Sequence, residues 1–192
     1  MSRAVLRRKD KEMSQSEIED LLRNGFVGHF ATVDAEGQPY VVPNLYVYEA
    51  GKIYSHNTQA QGHFRQNILV NPRVCFEIAE PGEVFPYGEF ECDTSVSFRS
   101  AVCFGRIKIL AEREAKQRFF DLFMAKYSEA EWERPKSFYP RLDQVTVYCL
   151  EIEQMTGKQN PLPAMSQRWP VVNNTRTPNA VAPSATASIT TE

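Results

Sequence analysis

Apolar residues change their period along this chain, and the changes mark its elements. Between Ser14 and Gly25, Ile18, Leu21 and Leu22 recur at helical spacing behind Ser14-Gln15-Ser16-Glu17, which has capping-box spacing. A short amphipathic helix is predicted near 15–24, with Gly25 as its stop. From Phe26 to Val33 the chain turns β-branched and aromatic, and Asp34-Ala35-Glu36-Gly37 reads as a turn. A second strand is predicted from Tyr40 to Tyr48, a turn at Glu49-Ala50-Gly51-Lys52, and a third strand over Ile53-Tyr54-Ser55-His56. Short strands joined by glycine-containing turns predict an antiparallel meander. Pro39 and Pro43 flank or interrupt the second strand, which predicts an edge or a bulge there.

His63 to Val70 predicts two helical turns ended by Asn71-Pro72, and Arg73 to Ala79 a fourth strand. Pro81-Gly82 and Pro86-Tyr87-Gly88 predict a long loop over 80–94. A long strand follows over 95–110, with a bend at Gly105, and then a helix over 112–127 whose Phe119, Phe120, Phe123 and Met124 form a buried stripe. Val145 to Ile152 alternates as the last strand, and Met155-Thr156-Gly157-Lys158 reads as the turn after it. The expected architecture is mainly β (α+β), a six-stranded antiparallel sheet closed into a small barrel with peripheral helices, since closure removes open edges. The expected organisation is a domain over 1–158, a partly docked extension over 159–171 carrying Trp169, and a tail over 172–192. That tail is too poor in apolar residues to offset its ordering entropy, and disorder is expected there.

Composition narrows the function classes. With 22 Lys and Arg against 24 Asp and Glu, the formal charge of -2 offers no basis for a broadly basic nucleic-acid binder. No apolar run approaches the ~20 residues that cross a bilayer. The stretch Arg3-Ala4-Val5-Leu6-Arg7-Arg8-Lys9 has charge without the apolar segment of a secretory signal. Cys75, Cys92, Cys103 and Cys149 form no CxxC pair, so no metal site is expected; free thiols, buried except for Cys92, fit a cytoplasmic location.

Hydrolytic and nucleotide motifs (GxSxG, HExxH, the Walker A loop, GxGxxG) are missing from the sequence. His29 lies mid-strand, as a structural histidine would. His56 and His63 bracket the polar loop Asn57-Thr58-Gln59-Ala60-Gln61-Gly62, which opens the short helix. Helix-end amides with His63 and Arg65 could receive a phosphate, although many solvated loops have this composition. Ser97-Phe98-Arg99-Ser100 is a second polar cluster, in which Arg99 is either a surface charge or an anchor for a ligand oxygen.

Several segments, in order, resemble the pyridoxamine 5'-phosphate oxidase-like FMN-binding split barrels, and most closely the nitroimidazole-resistance (Nim-type) flavoprotein branch. They are Arg7-Arg8-Lys9-Asp10-Lys11-Glu12, Gly28-His29-Phe30-Ala31-Thr32-Val33-Asp34, Gly37-Gln38-Pro39-Tyr40-Val41-Val42-Pro43 and Lys52-Ile53-Tyr54-Ser55-His56. Asn71-Pro72-Arg73-Val74-Cys75-Phe76, Phe98-Arg99-Ser100-Ala101-Val102-Cys103-Phe104-Gly105-Arg106 and Met155-Thr156-Gly157-Lys158 complete the match over residues 7–158. The resemblance implies a homodimer of split barrels holding two FMN molecules between the subunits. It implies that the flavin ring lies against Pro43, Asn44 and Leu45, and that the segment His56 to Arg65 grips the phosphate through Asn57, Thr58, His63 and Arg65. Arg99 and Ser100 would reach the cofactor of the partner subunit, and Asn67 and Lys158 complete the implied cofactor-binding set; Trp169, beyond the match, either reaches over the cofactor or pins the tail. Phe64 departs from the pattern: relatives commonly carry a basic residue there, so His63, Arg65 or the helix amides would have to compensate.

The activity the resemblance implies is an FMN-dependent, nitroreductase-like oxidoreductase that carries electrons from NAD(P)H through flavin to a small acceptor. His56 is the candidate proton donor, because an unperturbed imidazole titrates near neutrality; a structural role toward the ribityl chain or phosphate is the other reading. The rival functions are a non-catalytic flavin store or sensor, and the same pocket holding haem, pyridoxal phosphate or a deazaflavin.

Overall fold

The computed structural model describes residues 5–129 and 132–177, which form two compact units. The larger takes its described residues from 5–80 and 99–159, the smaller from 81–98 and 160–177. Helix α1 (Gln15–Asn24) starts at the predicted capping box: Ser14 Oγ accepts from the Glu17 amide, and the Glu17 carboxylate accepts from the Ser14 amide at 2.7 Å. The remaining elements are β1 (Val27–Val33), β2 (Pro39–Glu49), β3 (Lys52–Thr58), α2 (His63–Val70), β4 (Arg73–Pro86), β5 (Thr94–Leu110), α3 (Arg113–Tyr127) and β6 (Val145–Asn160). The strands close into a barrel in the order β1-β2-β3-β6-β5-β4.

Strand alternation sorts the side chains onto two faces. Phe30, Tyr46, Ile53, Phe76, Tyr148 and Leu150 point into one core with essentially no solvent exposure. Ile18, Leu21 and Leu22 of α1 and Phe64 and Ile68 of α2 join the same cluster. Burying each of the aliphatic and phenylalanine side chains is worth roughly 1.5–3 kcal/mol before entropy is counted. Val47 and Val147 carry the opposite parity, and α3 covers them with Phe119 and Phe123 in a second cluster. The aromatic stripe of α3 is therefore core packing, as its spacing predicts.

Two element boundaries differ from expectation. The loop expected over 80–94 is shorter, because β4 continues to Pro86 and β5 begins at Thr94. Pro81-Gly82 reads as a break, yet a Cβ on Gly82 would lie 2.2 Å from Ser97 Oγ, so glycine serves close strand approach there. The last strand runs on to Asn160, and Met155-Thr156-Gly157-Lys158 lies inside it rather than in a turn. Its outer stretch pairs with the N-terminal segment: the Gly157 carbonyl accepts from the Met13 amide at 3.0 Å, and Lys158 bridges Glu12.

Within the smaller unit, the buried Asp93 organises the β4–β5 connection, its Oδ2 accepting from the Phe90 amide at 3.2 Å and from Thr175 Oγ1 at 2.9 Å. Thr175 falls in the stretch expected to be disordered; residues 178–192 of that stretch lie outside the described residues. Trp169 remains 40% exposed, and its neighbour Arg168 makes the contacts, stacking over Phe85 at 5.9 Å and donating to the Pro163 carbonyl at 2.7 Å. No helix among the described residues is long and apolar enough to cross a membrane.

Candidate functional site

The barrel splits along one seam, and the prolines of β2 explain where. Residues Pro39–Leu45 of β2 pair with β1, whereas the rungs to β3 run only from Glu49–Lys52 to Tyr46–Ser55. Pro39 and Pro43 have no amide to donate, so this half of β2 cannot carry a full ladder on both sides. Beyond Ser55, His56, Asn57 and Thr58 pair with Val147, Thr146 and Val145 of β6. Among the described residues no rung joins them to β2, so one edge of β3 faces the seam.

Two buried polar atoms on the strands that part here have no partner. Asn44 Nδ2 on β2 and His56 Nδ1 on β3 are buried and make no hydrogen bond. His56 has the parity of the outer face, and its ring meets Phe119 at 5.6 Å and Phe120 and Phe123 at 5.0 Å each. Burial among these rings pushes its pKa below the ordinary histidine value, so the imidazole is neutral at neutral pH. It can exchange one hydrogen bond through its unpartnered Nδ1.

Past the end of β3, a cavity of about 410 Å³ opens between Gln59, Gln61, Arg65, Lys116 and Thr146. Arg65 leaves α2 and donates through Nη1 to the Gln59 carbonyl at 2.8 Å and to Thr146 Oγ1 at 3.3 Å. Its Nε is buried and unpartnered. Lys116 reaches in from α3, held by the Val145 carbonyl at 3.0 Å. Two fixed cations, a hydroxyl and two carboxamides make a receptor for an anionic oxygen cluster. Lys116 and Thr146 were not singled out in the sequence; Thr146 was readable as the β6 residue opposite Asn57, but Lys116 looks like any exposed helix lysine.

The other expected site residues are dispersed. Pro43 is exposed and Leu45 half-buried on β2; Asn57 is half-buried and Thr58 exposed at the end of β3. His63 is exposed at the start of α2, 5.8 Å from the Tyr40 ring. Phe64 and Asn67 point away from the cavity and into the barrel. Phe64 is buried against Tyr148 and Phe30, at 5.0 and 5.5 Å, and Asn67 donates to the buried Thr32 hydroxyl at 3.0 Å. The departure at Phe64 is therefore a core requirement, and Arg65, one residue on, is the cation that faces the cavity. Arg99 is bound to two carboxylates of its own chain, Glu80 at 2.7 Å and Asp20 at 3.2 Å. Ser100 Oγ donates to the Lys158 carbonyl at 3.4 Å. Lys126, also unforeseen, lies 4.0 Å above the Tyr46 ring with no hydrogen-bond partner, and burial lowers its pKa to about 8.

Solved structures share this architecture. A protein described as a candidate 5-nitroimidazole antibiotic resistance protein from Bacteroides thetaiotaomicron superposes with a TM-score of 0.64 at 24% identity, covering 77% of this chain and 86% of its own. The flavocytochrome Anf3 from Azotobacter vinelandii gives 0.70 at 20% identity, covering 83% and 73%. An FAD-binding protein from Mesorhizobium loti gives 0.59 at 23% identity, covering 79% and 98%. At these identities the likeness concerns the fold. No curated protein matches the sequence. The family model described as pyridoxamine 5'-phosphate oxidase matches residues 14–159, the whole stretch that builds the barrel and its seam, and the chain belongs to that family.

Proposed function

We propose that this chain is an FMN-binding oxidoreductase of the nitroreductase-like kind, working as a homodimer. The observation that carries the reading is the cationic cavity of Arg65 and Lys116 past the end of β3, beside two strands that part and leave Asn44 Nδ2 and His56 Nδ1 unpartnered. A flat, hydrogen-bonding ring with an anionic tail matches that sequence of groups. Arg65, Lys116 and Thr146 would hold the phosphate. His56 would meet the polar edge of the ring, with Pro43 and Leu45 on the same outer face as apolar wall and Asn44 Nδ2 free to donate from the inner side. Bound there, FMN would supply reversible hydride and electron transfer between NAD(P)H and a small acceptor. The neutral His56 orients and donates or accepts one hydrogen bond, and its aromatic surround keeps water from that side.

A second copy is supported by the outer face of β1 and β2, where Val41 is 57% exposed beside Val33, Pro39 and Pro43, and α3 does not cover it. Titrating the purified chain with FMN, alongside light scattering for mass, tests both parts. One FMN per chain in a dimer is expected, with bleaching by NADH or NADPH under anaerobic conditions and reoxidation by a nitroaromatic. Tight FMN binding without bleaching by any reductant would leave a flavin carrier. No flavin binding at all would overturn the cofactor reading.

A further inference from the structure

A second cavity, of about 810 Å³, opens between α3 and the segment 132–142. It falls within the ~300–1,000 Å³ range typical of small-molecule sites. Phe120 and Met124 of α3 form one wall, and Trp132, Tyr139 and Leu142 form the other. Tyr139 fixes the segment to the helix: its hydroxyl donates to Asp121 Oδ1 at 2.9 Å, and its ring meets Phe120 at 5.4 Å. That bond occupies Oδ1 of Asp121, the one acidic side chain in the lining.

Cations outnumber carboxylates in the lining by three to one. Arg134, Lys136 and Arg141 all line it, and among the described residues no carboxylate pairs with any of the three. Arg134 lies over the Trp132 ring at 4.7 Å, so its guanidinium is held against the aromatic lining. An aromatic lining with three cations against one carboxylate favours a flat apolar body ending in an anion.

We infer that the cavity between α3 and residues 132–142 is a binding site for an aromatic carboxylate, its ring between Phe120 and Trp132 and its carboxylate on Arg134 and Arg141. The site stands independently of the flavin reading, because neither Arg65 nor any residue of the β2–β3 seam lines it.

The test uses the full chain carrying Trp169→Phe, which leaves Trp132 as the only tryptophan of the two. Quenching of Trp132 is titrated with 2-naphthoate, 2-naphthamide and 2-naphthylmethylamine, and stoichiometry is taken by calorimetry. Saturable one-to-one binding of 2-naphthoate is expected, about tenfold or more tighter than either comparator, since a charge-assisted contact is worth at least that ratio. Arg134→Gln with Arg141→Gln, both on exposed side chains, should erase the preference for the anion while leaving naphthamide binding unchanged. Ala125→Trp, which fills the cavity from the exposed side of α3, should remove binding of all three. No saturable binding of naphthoate, a preference untouched by the double variant, or affinity unchanged by Ala125→Trp would each overturn the assignment.

Discussion

Ser55 Oγ donates a 2.9 Å hydrogen bond to the Leu45 carbonyl, at the point where β2 and β3 part. Ser55 is fully buried, and Tyr46–Ser55 is the last backbone rung between the two strands. The hydroxyl thus satisfies a carbonyl that the ladder no longer reaches and fixes the corner of the seam. Ser55→Ala should cost about 1 kcal/mol, a fall of about 2–4 °C in Tm for a chain of this size. It should also weaken FMN binding. A thermal melt with a flavin titration checks it; an unchanged Tm would mean that the corner is held by other contacts.

Arg65 gives a sharper probe of the cavity. Arg65→Gln retains hydrogen-bonding capacity toward Gln59 and Thr146 but removes the charge. FMN affinity should fall by about tenfold or more, whereas riboflavin, which has no phosphate, should bind the native and variant chains alike. Equal losses for both ligands would place the effect on the loop rather than on the phosphate.

Gly105 is expected from the sequence to bend β5, and the structure gives it a stricter duty. A Cβ there would lie 2.0 Å from the Glu151 carbonyl oxygen of β6, so the two strands approach too closely for any side chain. Gly105→Ala must push β5 from β6, at a cost of about 1–3 kcal/mol. Chemical denaturation should show the lower midpoint, and a midpoint within error of the native one would rule out the close approach.

The strands, the helices and the capping box of Ser14 were legible because each rests on local periodicity. The limits of β4 and β6 were not, because Pro81-Gly82 and Gly157 carry the chemistry of turns while neighbouring strands override it. The candidate site divides the same way. Arg65 and the 59–62 loop were visible as a polar cluster before a helix. Phe64 and Asn67 were grouped with Arg65 in the implied cofactor set, Phe64 as a departure from the pattern, but they occupy the inward face of an eight-residue helix and pack on Tyr148 and Thr32. Lys116 enters from α3, 51 positions beyond Arg65, and only the closure of the barrel brings the two together.

The aromatic enclosure of His56 makes stability depend on pH in a stated direction. Its folded pKa lies below the ordinary value of about 6.5, so between those two values the unfolded chain binds more protons than the folded one. The stabilisation from keeping this ring neutral is complete above about pH 6.5 and is lost as pH falls toward the folded pKa. His56→Asn, which retains a hydrogen-bonding side chain without that titration, should flatten this part of the profile while lowering stability at pH 7 through lost ring packing. Paired melts of both chains between pH 5 and 8 should therefore converge on the acid side. In the native protein the imidazole carbon signals should titrate below the ordinary histidine range. Parallel profiles, or an imidazole that titrates at the ordinary value, would show that water reaches the ring despite Phe119, Phe120 and Phe123, and would return His56 to the role of a ready proton donor.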